Sequence, residues 1–302
     1  GPQRDGDNSC SQIALLALRE AERAGLEVSA GLIRRVERTW VQRQQDDGGW
    51  TYSGTRNVEA DSTPPMTAAA MASMFICRDL TSLRSGRYRY QDELDQAWTY
   101  LNAHLHPDFH ENGYLAFCVQ RLGMASGQKY VGTIKTKDGE EKMDWFRQGA
   151  ADLCKPRPRG KRFRGPWGPH VRACFELIFL SRGRLPLTFN KLQYGTDEDN
   201  WNYHDRDVPR FTEYMRRDFE ERMRWQVVQI TDEVTELLDA PILLISGSDP
   251  IEFTEAQRDK LREYSLRGGT LLFVATRGSQ RFSDSVKVVL DRPVSRELPV
   301  HV

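Results

Sequence analysis

No apolar run in this 302-residue sequence approaches the ~20 residues that a membrane-spanning helix needs. A surplus of either charge is missing as well. Lys and Arg total 43, as do Asp and Glu, so no global field draws the chain to nucleic acid or to an anionic membrane surface. With a mean hydropathy of −0.63 the expectation is a soluble protein. Cysteine is sparse: Cys10, Cys77, Cys118, Cys154 and Cys174 form no C-x-x-C pair. The expected reading is therefore free thiols acting as small buried hydrophobes. Histidine fails in the last third, where only His301 follows His204. That scarcity bears on any catalysis needing a base. The length suits two domains. The opening Gly1-Pro2 pair resembles the scar of tag removal, so the expectation is that the natural N-terminus has been cut away and that the absence of a signal peptide decides nothing.

What is present is, first, a helical repeat. Residues 9–24 are small and apolar on one face and stop at Gly25, and residues 30–44 form a more basic helix. Thr63-Pro64-Pro65 then opens an apolar helix over 66–80, since proline belongs in a first turn. The pattern recurs with an amphipathic helix over 92–105, a turn at Asn112-Gly113-Tyr114 and an apolar helix through Met124. A third copy is expected over 143–153, turning at Gly165-Pro166-Trp167 into 171–181. Such a period signals stacked helix pairs, polar outer helices alternating with apolar inner ones.

The stretch between the first two pairs carries a clamp: Trp40, Val41, then Gln45, then Gly48, Gly49 and Trp50. Gln45 can cap a helix end, the glycines let the backbone reverse, and Trp50 can close over the joint. The spacing resembles the QW motif of squalene-hopene cyclases and their relatives. Gly165 and Trp167 look like a second, degraded copy. The resemblance covers residues 5–184 and implies an α/α toroid domain of the terpene cyclase and prenyltransferase kind. The helix pairs are too few to close a toroid, so a partial barrel is expected, completed by a further domain or an oligomer.

Residues 185–207 lose the periodicity and read as a linker around Asp197-Glu198-Asp199-Asn200. From residue 208 the grammar changes to a charged helix, then short β-rich runs at 225–230, 241–246 and 270–275 with helices between them. Thr254 and Gln257 fit a capping box. Alternation of this kind calls for a short parallel sheet in an α/β fold over 208–302. This half resembles the flavodoxin-like domain of class I glutamine amidotransferase relatives. Pro241-Ile-Leu-Leu-Ile-Ser-Gly, Phe253-Thr254, Leu261-Arg-Glu-Tyr264 and Gly268-Gly-Thr-Leu271 resemble phrases of a bacterial family that joins such a domain to a cyclase-like helical half. That family brings no assigned reaction. The expected class is therefore α + α/β in two domains.

The chemistry implied by these resemblances finds few residues. The Asp-x-Asp-Asp acid of class II cyclases and the Asp-Asp-x-x-Asp magnesium motif of class I enzymes do not occur; Asp46-Asp47 lies inside the clamp. A prenyltransferase zinc set would start at Asp61, but Thr63 stands where a cysteine is required. Asp152 and Cys154 have the spacing, with His170 or His204 downstream, on the wrong helix. His104, His106 and His110 read as loop residues at a helix end, interrupted by Pro107. No metal and no cofactor are expected. The basic run from Lys155 to Arg164 is the one stretch that could clasp nucleic acid or another anion, against its reading as a solvated loop. In the α/β half, the turn where an amidotransferase relative carries its cysteine reads Thr276-Arg277-Gly278-Ser279.

Two turns remain as a binding patch: Ser246, Gly247 and Ser248, and Thr276, Arg277, Gly278 and Ser279. Both follow strand ends, where open α/β sheets bind ligands, and their N–H groups, hydroxyls and Arg277 suit a carboxylate or phosphate. The leading expectation is a non-catalytic binding or scaffold protein taking a peptide, lipid or protein partner. The alternatives are an isoprenoid-processing enzyme whose acid is Asp61 or Glu176 in an apolar cavity, and a serine-dependent hydrolase or transferase using Ser279. The apparent trimming and the resemblance favour the bacterial periplasm or envelope over the cytoplasm.

Overall fold

The computed structural model describes residues 6–54, 60–81, 88–106, 109, 112–137, 139–155, 168–183 and 185–291. The chain divides into two compact units that part between Leu185 and Pro186. Among the described residues no helix is long and apolar enough to cross a membrane.

The first unit holds helices α1 (Asn8–Arg23), α2 (Ala30–Gln42), α3 (Pro64–Thr81), α4 (Gln91–His104) and α5 (Gly113–Ser126). A hairpin of β1 (Tyr130–Thr136) and β2 (Gly139–Asp144) follows, then α6 (Trp145–Leu153) and α7 (Pro169–Gly183). Helix α3 packs between α1 and α5, and α5 between α3 and α7; α2 and α4 lie against α3, and α6 against α5. Composition explains the layering. Helices α3 and α5 carry Ala, Met, Leu, Val and Cys on all sides and bury nearly every residue. Helix α2 buries a single stripe through Ile33, Glu37 and Trp40 and leaves its arginines outside. The hairpin was not anticipated; it occupies the approach to the third expected helix pair.

The joint between α2, α3 and α4 is a latch built on Trp50. Its ring is fully buried, its indole Nε1–H donates to the Trp40 carbonyl (2.8 Å), and its backbone N–H donates to the Thr67 hydroxyl (3.1 Å). A buried indole usually finds such an acceptor. Gly48 sits at φ +85°, and a Cβ there would stand 2.8 Å from the Gln96 carbonyl oxygen of α4. The bridging glutamine is Gln44, which is buried and donates to the Gly48 carbonyl (2.9 Å) and the Glu93 carbonyl (2.8 Å). Gln45 donates from its side chain to the carbonyl of Arg43, the C-cap residue of α2 (2.8 Å), and from its N–H to the Gly49 carbonyl (2.9 Å). Gly165 and Trp167 lie outside the described residues.

The second unit holds β3 (Leu187–Gln193), α8 (Glu198–Trp201), α9 (Asp207–Asp218), β4 (Arg224–Gln229) and α10 (Val234–Leu237). It continues through β5 (Ile242–Gly247), α11 (Glu255–Leu266), β6 (Thr270–Ala275), a short 3-10 turn (Thr276–Gly278) and α12 (Gln280–Asp291). The four strands are parallel in the order β4-β3-β5-β6. The stretch read as a linker therefore contains a central strand of the sheet. It escaped notice because Asn190 and Lys191 interrupt its apolar character, although both are fully buried. Asn190 Nδ2 donates to the Leu237 carbonyl (2.7 Å) while its Oδ1 is buried without a partner among the described residues, and Lys191 Nζ donates to the His204 carbonyl and to Asp207 Oδ1 (both 2.8 Å). Burial pushes the Lys191 ammonium below its ordinary pKa, with Asp207 opposing. Leu192, Val228, Leu243, Ile245, Leu261, Tyr264 and Phe282 pack on one face of the sheet; Phe189, Trp201, Val208, Trp225, Val227 and Leu244 pack on the other.

Replacing Trp50 with alanine is expected to destabilise the first unit by ~3–5 kcal/mol, the range for emptying a buried indole site. Gln44→Ala should cost more than Gln45→Ala in urea denaturation followed by far-UV circular dichroism. The opposite order of the two glutamines would contradict the latch as described.

Candidate functional site

In an open parallel sheet the ligand crevice lies beyond the strand C-termini where the strand order reverses, because the flanking connections leave there in opposite directions. Here the chain runs from β3 outward to β4 and then returns past β3 to β5, so the reversal falls between β3 and β5. The crevice is bounded by Tyr194 after β3, Gly247 and Ser248 at the end of β5, and the turn after β6.

The two turns picked out from the sequence do come together. The Ser279 hydroxyl donates to the Ser248 carbonyl (2.5 Å) and accepts from the Phe282 N–H (3.3 Å), which makes Ser279 the cap of α12. Thr276 is buried, whereas Arg277 and Gly278 are exposed and both left-handed, at φ +57° and +67°. The Arg277 guanidinium lies over the Tyr203 ring, 4.0 Å from its centre. The Ser246 hydroxyl donates to the Trp201 carbonyl (3.0 Å).

Several of the polar groups expected to meet a ligand are thus engaged with the protein, namely the Ser246 and Ser279 hydroxyls and the Ser248 N–H. Asn200 Oδ1 accepts from the N–H groups of both Ser248 (2.8 Å) and Asp249 (3.0 Å), where an anion's oxygen would otherwise sit. The Tyr194 hydroxyl donates to the Ser246 carbonyl (3.0 Å), and its ring meets Phe253 edge-on. A Cβ on Gly247 would stand 2.5 Å from both the Tyr194 hydroxyl and the Phe282 ring. Tyrosine and phenylalanine therefore fill the space beside β5. Burial, reinforced by Asp197 and Asp249, pushes the Tyr194 phenol well above its ordinary pKa, which keeps it a neutral donor. Tyr194, Asn200 and Tyr203 all fall in the stretch read as a linker, and sequence reasoning missed all three. A tyrosine directly after a strand followed by an acidic turn was the available signal.

Ser279 gives its proton to a carbonyl rather than to an imidazole or carboxylate, an arrangement that anchors a turn and does not activate a nucleophile. His301 lies outside the described residues. Residues 188–299 match a family model described as a domain of unknown function, DUF4159. That match begins inside β3 and takes in the sheet and the whole crevice. No curated protein and no solved structure matches the chain.

The acid and metal candidates of the first unit are dispersed. Asp61 is exposed, contrary to the buried acid expected there. Glu176 is buried, but its Oε1 accepts from Arg172 Nε (2.7 Å) one turn earlier on α7. Asp152 accepts from Lys155 Nζ (2.8 Å), and Cys154 is exposed. Among the described residues no group of three or more His, Cys, Asp and Glu side chains is placed to hold a metal. Two cysteines match the buried-thiol expectation: Cys77 and Cys118 are buried, and burial lifts the Cys118 thiol to about 12. Cys10, Cys154 and Cys174 are exposed instead. His110 and the basic run after Lys155 lie outside the described residues.

Asn200→Ala should cost ~1–3 kcal/mol by leaving two N–H groups without their acceptor. Added inorganic phosphate should raise the melting temperature of Asn200→Ala and leave that of the parent chain unmoved. A parent chain stabilised by phosphate to the same degree would show that the turn donors are open after all.

Proposed function

We propose that the chain is a non-catalytic binding or scaffold protein, in which a helical-repeat arm of the cyclase and prenyltransferase kind is joined to a flavodoxin-like, amidotransferase-like module without its chemistry. The observation that carries this reading is the occupied crevice at the β3/β5 reversal. There Asn200 meets the Ser248 and Asp249 N–H groups, Tyr194 meets the Ser246 carbonyl, and Ser279 serves as a helix cap. The strand order β4-β3-β5-β6, with the first strand inside and the second outside it, supports the flavodoxin-like comparison. The alternation of buried and amphipathic helices, together with the Trp50 latch, supports the cyclase-like one.

The isoprenoid-processing alternative needs a carboxylic acid held in an apolar chamber. Asp61 faces solvent and Glu176 is tied to Arg172, so neither is poised to give up a proton. Among the described residues the Ser279 hydroxyl donates to the Ser248 carbonyl and not to a base, which weighs against the serine alternative. A partner in the form of a peptide, lipid or protein is left as the reading with fewest unmet requirements.

The test combines binding with turnover. The full chain, screened by thermal shift against squalene, prenyl diphosphates, fatty acids and peptide pools, should be stabilised by one class by a few degrees, as a ligand well above its Kd requires. Mass spectrometry of the same mixtures should return every compound unchanged. Product that forms with the parent chain and disappears in Glu176→Gln or Ser279→Ala would overturn the non-catalytic reading.

A further inference from the structure

The sheet face that packs with Leu261 of α11 and Phe282 of α12 is lined by Leu192, Val228, Leu243 and Ile245. Side chains alternate along a strand, so Asn190, two residues before Leu192, and Gln226, two before Val228, belong to the same face. Register makes them direct neighbours. Asn190 of β3 pairs with Gln226 of β4 on one side and with Leu243 of β5 on the other. Two amides therefore stand side by side among aliphatic residues.

Each amide is only half served. Asn190 is fully buried, and its Nδ2 donates to the Leu237 carbonyl at the end of α10 (2.7 Å), which holds the amide in place. Its Oδ1 has no hydrogen-bond partner among the described residues, and neither has the buried Nε2 of Gln226. One of these atoms is an acceptor and the other a donor. They do not bond to each other, although neighbouring strands lie only about 4.8 Å apart. Leaving both without a partner in apolar surroundings is costly.

From this juxtaposition we infer that Asn190 and Gln226 bind one internal water molecule between β3 and β4. Its oxygen accepts from Gln226 Nε2, and one of its O–H groups donates to Asn190 Oδ1. The donor set selects the ligand. A cation would meet the N–H of Gln226 and an anion the carbonyl oxygen of Asn190, whereas a neutral molecule that both accepts and donates suits the two together. Gln226 is half-buried and β4 ends the sheet, so solvent has a way in from that side. The bound water completes a chain from the Leu237 carbonyl through the Asn190 amide to Gln226, and so ties the crossover between β4 and β5 to the first of those strands. The inference stands on strand register and hydrogen bonding and is independent of the functional reading above.

A crystal structure of the full chain, at a resolution that shows ordered solvent, should place an oxygen roughly 2.7–3.2 Å from both Asn190 Oδ1 and Gln226 Nε2. In solution, oxygen-17 magnetic relaxation dispersion should show fewer long-lived internal waters in Gln226→Met than in the parent chain. Urea denaturation should show Gln226→Met lowering the folding equilibrium constant at least ~5-fold in the parent chain, since Asn190 loses its bridge. The same substitution should have less than a ~2-fold effect in the Asn190→Leu background, where the bridge is already gone. Should Asn190→Leu fail to fold, the crystal structure and the relaxation measurement still decide. A direct bond between the two amides, a site without ordered oxygen, or an unchanged count of long-lived waters in Gln226→Met would overturn the inference.

Discussion

A buried indole N–H usually finds an acceptor, and Trp50 finds one in the carbonyl of Trp40, near the end of α2, while the Trp40 indole N–H itself is buried without a partner among the described residues. That bond fixes where the chain can go next. With the ring fully enclosed, the backbone of Trp50 is held against Thr67 at the start of α3 and accepts from the Thr63 N–H (2.9 Å). Gly48 is pressed against α4, and Gln44 crosses to the Glu93 carbonyl. One aromatic residue thus fixes three helices, and α3 in turn provides the surface on which α1 and α5 pack. A second polar knot lies about one turn earlier on α2, where buried Glu37 accepts from the Tyr88 hydroxyl (2.5 Å) and from Arg89, while Arg78 lies over the Tyr88 ring.

The same demand for internal partners shapes the α/β unit. Lys191 on a central strand would be costly to bury alone; its ammonium reaches the His204 carbonyl and Asp207 and so ties the loop before α9 to the sheet. Asn200 at α8 reaches the turn after β5, and Ser246 in β5 reaches back to Trp201. These cross-connections bring the segment between β3 and α9 over the place where related topologies leave an open crevice. The proposal of a binding module rests on this crevice being occupied by the protein's own side chains.

Much of the architecture was legible because it follows periodicity. Helices α1 to α5, the Thr254 and Gln257 capping box, and strands β4 to β6 all lie within a few residues of the positions their patterns imply. What was not legible depended on tertiary partners. β3 carries Asn190 and Lys191, whose acceptors lie 47 and 13 residues away, and no local pattern shows that they will be satisfied. The candidate turns were correctly expected to follow strands, and Ser279 does meet Ser248. Their engagement by Asn200 and Tyr194 was invisible, because those residues looked like linker. Gln45 does reach the helix end, donating to the carbonyl of the α2 C-cap residue Arg43, but the bridge to α4 is made by its neighbour Gln44, and only the direction of each side chain separates the two roles.

The account rests on the Trp50 indole being sealed between α2 and α3, and hydrogen exchange resolved at individual indole N–H groups tests this most directly. Among the seven tryptophans, the Trp50 indole proton should be one of the slowest to exchange, released only when the helical unit opens as a whole. Exchange of that proton at the rate of a solvent-exposed indole would contradict the latch and the layered packing built upon it.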